Sequence, residues 1–115
     1  MIIHEYKKLS KIIDEMSLYL FRKGHTRFEM KVEINKNEQT TIIFITSELE
    51  EEYIEKLNKY IGLKREREVE EYGWELLGES DLASDLEMLG LLVDKIEIVN
   101  ENGKSVISLF RKYSN

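Results

Sequence analysis

Few residues in this chain are equipped for chemistry. Cysteine is absent, and His4 and His25 are the only histidines. Thiolate nucleophiles, disulfides and cysteine metal sites are therefore excluded, and neither histidine has a partner at ligand spacing. His25 follows a helix end, where an imidazole meets the negative pole of the helix dipole, so a capping or surface role is expected. No serine has a histidine in a recognisable hydrolase context. The acids Glu48, Glu50, Glu51, Glu52 and Glu55 fall in the first turns of a helix, and "ESDLASD" falls at another helix start. The dipole and capping explain both without a metal. A Ca²⁺ or Mg²⁺ loop would alternate Asp, Asn and Gly, and that pattern does not occur. In "KREREVEE" the cations Lys64, Arg65 and Arg67 alternate with Glu66, Glu68, Glu70 and Glu71, which repel phosphate; solvated charge is expected. Trp74 beside Tyr72 has the composition of an interface anchor, though a core role for Trp74 is the plainer reading. No catalytic, cofactor-binding or metal-ligating residue is assigned, and no cofactor is expected.

The elements that must position these groups are legible from periodicity. The chain has 115 residues, 42% hydrophobic and 35% charged, which suits one domain with a real core. Seventeen basic against 23 acidic residues leave a net charge of −6. That balance disfavours nucleic acid and anionic membranes as partners. "MIIHEYKKLS" does not read as a signal peptide, no stretch approaches the ~18 apolar residues of a membrane helix, and a cytoplasmic location is expected. Proline is absent, leaving glycine as the main punctuation.

Leu9, Ile12, Ile13, Met16 and Leu20 recur at helical spacing within Glu5 to Lys23. Lys7, Lys8, Lys11, Asp14 and Glu15 fall largely off that face, and Gly24 is placed to end the helix in a left-handed conformation. The period then switches to two. Phe28, Met30, Val32 and Ile34 alternate with polar residues, giving a strand with one buried face. "KNEQ" is a turn, and "TTIIFIT" is apolar on both sides, as an inner strand would be; the two strands should form an antiparallel hairpin. Ser47 and Glu50 have capping-box spacing, opening a second helix with Leu49, Tyr53, Leu57, Tyr60 and Ile61 on one face. After the charged stretch from Lys64 to Tyr72, Trp74, Leu76 and Leu77 are expected to pin the chain to the core. A third helix starts near Asp81, with Ser80 and Asp81 as caps and Leu82, Leu86, Leu89 and Val93 at helical spacing. Ile96 and Ile98, the turn "NENG" and the return strand Val106 to Lys112 make a closing hairpin. No internal repeat is evident. Two hairpins in one antiparallel sheet, with about three helices on one face, is the economical packing: a two-layer α+β sandwich. Its second face needs polar side chains or a partner.

This order resembles the GHKL ATPase fold of histidine kinases, gyrase and their chaperone relatives, and in particular the anti-sigma-factor kinases. "LGLLVDKIEIVNENGKSVISLFRK" is similar to the closing third of such a kinase, and "HTRFEMKVEINKNEQTTIIFIT" to its first hairpin. The resemblance implies that Glu15, in "DEMSLYLFRKGH", matches the family's base; a helix-surface charge is the alternative. The family's Mg²⁺-binding asparagine falls near Tyr19. Where the family has an Asp and two glycines for adenine, this chain has "ITSELEEE", and the glycine-rich turn is reduced to Gly90. A phosphate cradle needs several glycines so that amides can converge on one anion. Gly90 is therefore expected to serve close helix–sheet packing. The implied function is a degenerate, non-catalytic, cytoplasmic regulatory or protein-interaction module of bacterial type that does not bind ATP. Its surface would be the uncovered sheet face or the Lys64–Trp74 segment, and its partner another protein or a second copy. The alternatives are an active anti-sigma-type serine kinase and a structural homodimeric domain.

Overall fold

The computed structural model describes residues 2–61, 70, 74 and 85–112. These form α1 (Ile2–Arg22), β1 (Glu29–Asn35), β2 (Thr40–Ser47), α2 (Glu51–Ile61), α3 (Asp85–Leu92), β3 (Lys95–Glu101) and β4 (Lys104–Lys112). The strands lie in the order β1-β2-β4-β3, and every neighbouring pair is antiparallel. The fold is α+β: among the described residues, one four-stranded antiparallel sheet with the three helices α1, α2 and α3, in two layers. No helix among the described residues is long and apolar enough to cross a membrane.

Periodicity determines the layering. Leu9, Ile12, Met16, Tyr19 and Leu20 form the buried stripe of α1, and Leu57 and Ile61 that of α2. In the sheet, Ile43 and Ile45 of β2 and Ile107 and Leu109 of β4 enter the same core, joined by Met88, Leu89, Leu92 and Val93 around α3. Each such side chain contributes about 1.5–3 kcal/mol on leaving water. In the helical layer α3 packs against both α1 and α2, and α2 reaches β3. Gly90 lies half-buried within α3. Trp74 is core, the plainer of the two expectations for it.

The chain's reversals follow from local chemistry. Gly24 takes φ +84°, its amide bonds the Phe21 carbonyl, and the His25 amide bonds the Leu20 carbonyl. Together these are a Schellman end, with glycine in the left-handed position. Asn102 and Gly103 both have positive φ and join directly paired Glu101 and Lys104. This is the two-residue primed turn whose twist suits a hairpin.

Several expectations need correction. Lys8 and Glu15 are buried rather than surface charges of α1. Val32 and Ile34, expected on a buried face of β1, are 40% and 43% exposed, because β1 is an edge strand beyond the cover of the helical layer. Ser47 and Glu50 do not make a capping box: Ser47 is the last residue of β2, and α2 starts at Glu51, where the Glu50 carbonyl accepts from the Tyr53 and Ile54 amides. The expectations for Ser80, Asp81, Leu76, Leu77 and Leu82, and for most of Lys64 to Tyr72, fall outside the described residues.

The two hairpins also share a pattern that the chain's linear order conceals. Lys31, Glu33 and Ile34 of β1 correspond to Lys95, Glu97 and Ile98 of β3; Ile43 and Phe44 of β2 correspond to Leu109 and Phe110 of β4. The strand register makes the match positional. Lys31 pairs with Phe44 and Lys95 with Phe110, and Ile43 is directly opposite Leu109. A local two-fold axis normal to the sheet, passing between Ile43 and Leu109, exchanges the hairpins.

Candidate functional site

Ionisable side chains gather inside the molecule at one place. Arg111 belongs to the inward row Ile107, Leu109, Arg111 of β4 and is 3% exposed. Its Nε donates to Glu5 Oε1 at 2.7 Å, and Nη2 donates to Glu5 Oε2 at 3.2 Å and Glu70 Oε2 at 3.3 Å. Nη1 donates to Glu70 Oε1 at 2.6 Å and to the Leu92 carbonyl at 2.7 Å, near the end of α3. All five guanidinium donors are therefore used. Lys8 Nζ adds a 2.8 Å bond to Glu70 Oε2 and lies 5.9 Å from the Trp74 ring centroid. Among the described residues the group holds two cations and two anions, and it ties α1, α3, β4 and Glu70 together.

With its guanidinium saturated, this cluster is built to hold elements in place rather than to receive a ligand. Beside it, Thr41 pairs with Arg111 in register. Thr41 is buried, and its hydroxyl finds no hydrogen-bond partner among the described residues. Sequence reasoning missed the cluster, although two signals were available. Period two puts Arg111 on the face of Ile107 and Leu109, and period 3.6 puts Glu5 and Lys8 one turn before Leu9 and Ile12 on the buried stripe of α1. The fourth member, Glu70, had no readable signal, because its stretch looks uniformly solvated.

The other candidates are dispersed. Glu15 pairs with Lys11 Nζ at 3.2 Å, one turn away on the same helix. Tyr19 is 2% exposed. Its hydroxyl donates to the Tyr53 carbonyl at 3.4 Å, its ring meets that of Tyr53 edge-on, and Lys23 lies over both rings. Partial burial and the charges of Glu50 and Glu52 hold the Tyr53 phenol above its ordinary pKa. His25 Nδ1 lies 3.2 Å from Ser47 Oγ, a polar contact that completes a buried hydroxyl. Among the described residues no group of three His, Asp or Glu side chains converges as a metal site.

A second feature is the sheet face turned away from the helices. Register lays it out in rows across the strands. One row runs Lys31, Phe44, Ser108, Glu97, and the next runs Glu33, Ile42, Phe110, Lys95. Lys31 Nζ lies 6.0 Å from the Phe44 ring centroid and Lys95 Nζ lies 5.5 Å from that of Phe110. Each lysine also pairs along its own strand, Lys31 with Glu33 at 3.0 Å and Lys95 with Glu97 at 2.8 Å. Val106 and Val99 continue the apolar centre, and Val99 is 51% exposed. No described element packs on this face. Compared with protein-family models, curated proteins and solved structures, the chain matches none of them.

Proposed function

We propose that this chain is a non-catalytic protein-interaction module, acting as a cytoplasmic regulator with a degenerate histidine-kinase-like ATPase fold. The supporting observation is the burial of Tyr19. In the GHKL resemblance the Mg²⁺-binding asparagine falls near it; here the phenol is part of the core, bonded to the backbone of α2. A phenol in that place offers no amide oxygen to a cation, and its ring takes up volume between α1 and α2. Glu15, the counterpart of the family's base, is engaged by Lys11. The sheet face with Phe44 and Phe110 at its centre supplies the surface for a partner.

A thermal-shift panel of nucleotides with and without Mg²⁺ tests the reading, since any ligand of the native state must raise its melting temperature. Unchanged melting with Mg-ATP is expected. A rise of several degrees would overturn the proposal in favour of an active kinase.

A further inference from the structure

We infer that this sheet face, on which no described element packs, docks face to face on a second copy of this chain. The inference rests on reading the chain as an interaction module and names the partner. Its basis is the arrangement of charge on that face. In one row the positive end is Lys31 and the negative end Glu97; in the next, Glu33 is on the Lys31 side and Lys95 on the Glu97 side. The local two-fold relating the hairpins produces this inverted order.

Self-complementarity follows from geometry. Stacking two sheets face to face about a two-fold requires an axis in the plane between them. If that axis runs along the strands, each row meets its own reverse. Lys31 then faces the partner copy's counterpart of Glu97, and Glu33 faces that of Lys95. If the axis runs across the strands, one row meets the other, so that Lys31 faces the counterpart of Glu33 and Lys95 that of Glu97. Either choice opposes unlike charges at all four corners, with Phe44, Phe110 and Ile42 enclosed between them. An apolar centre inside a charged rim is the usual anatomy of a specific interface. The pairs Lys31–Glu33 and Lys95–Glu97 within one copy are exposed. Such pairs contribute little to folding, so exchanging them for pairs between copies costs little.

Four strands about 4.8 Å apart and about 20 Å long make a small face, at the low end of specific interfaces. The dimer should therefore dissociate on dilution. Sedimentation velocity of the full chain across the micromolar range is expected to show reversible growth from 13.7 kDa to a dimer. The double variant Lys31→Glu with Lys95→Glu should weaken association at least tenfold, and so should Glu33→Lys with Glu97→Lys. Mixing the two variants should restore association as a mixed dimer. These side chains are exposed, so unchanged circular dichroism and melting at low concentration confirm that each variant folds. A wild-type chain that stays monomeric overturns the inference, as does a dimer indifferent to both reversals, which would use another surface. Neither result touches the nucleotide test, so failure of self-docking and failure of the non-catalytic reading are separable.

Discussion

At the scale of single residues, Arg111 carries the largest consequence. Removing one partner of a buried ionic group strands the others, at about 3–5 kcal/mol. Arg111→Met leaves Glu5 and Glu70 facing each other inside the molecule with Lys8 as the cation seen beside them. Urea unfolding should show a loss of that size. Arg111→Lys retains the charge but replaces a planar five-donor fork by three donors, so its stability should fall between the two. If Arg111→Met were as stable as wild type, the cluster would have no structural role. Thr41 tests the opposite sign. Its buried hydroxyl has no partner among the described residues, and an unmade hydrogen bond costs about 1–3 kcal/mol. Thr41→Val keeps the branched shape that a strand favours and should raise stability by about 1 kcal/mol. The Tyr53 phenol offers a titration. Partial burial, then Glu50 and Glu52, raise its pKa in the folded state. A raised acid favours the folded state fully only below its unfolded pKa, and this contribution is lost as pH rises through the folded value. Spectrophotometric titration should show Tyr53 ionising above the ordinary tyrosine range, and Glu52→Gln should lower its pKa.

At the scale of elements, the reversals depend on backbone conformation more than on contacts. At φ +84° nothing lies within 4 Å of a Cβ added to Gly24, so Gly24→Ala meets no clash and its cost isolates the left-handed conformation, about 1 kcal/mol. A chemical-denaturation midpoint unchanged by this substitution would contradict the Schellman assignment. The same elements show what the chain's linear order made readable. The stripe Leu9, Ile12, Met16 and Leu20 and the alternation of Ile43 and Ile45 each announce their element, because local period and burial coincide there. Ser47 and Glu50 misled, because capping spacing is also available to a serine that ends a strand and contacts His25 instead. The correspondence of the hairpins was hidden by their turns: Lys31 and Phe44 are separated by a longer turn and shorter intervening strand segments than Lys95 and Phe110, so no fixed period aligns them. Contacts such as Glu5 with Arg111, from opposite ends of the chain, leave no trace in any local window.

At the scale of the whole molecule, the sheet order makes a statement about how copies can associate. β2 and β4 are bonded on both sides, whereas β1 and β3 each leave one edge without a strand partner among the described residues. Amides in the middle of β2 and β4, around Ile43, Ile45, Ile107 and Leu109, should exchange with solvent hydrogen only by global opening. Amides on the outer edges of β1 and β3 should exchange orders of magnitude faster. Two modes of self-association change this map differently. Joining edges would continue the sheet from one copy into the next and bury those fast amides in new hydrogen bonds. Stacking faces covers side chains and leaves the edges in water. Lys31, Glu33, Lys95 and Glu97 all lie on the edge strands, where charge discourages a further strand from adding, while the same four side chains form the corners of the stacked face. Hydrogen exchange at rising protein concentration should therefore leave the outer amides of β1 and β3 fast throughout the range in which the mass doubles. Slowing confined to either edge would show the copies pairing strand to strand, and the open face would then have to be assigned to a different partner.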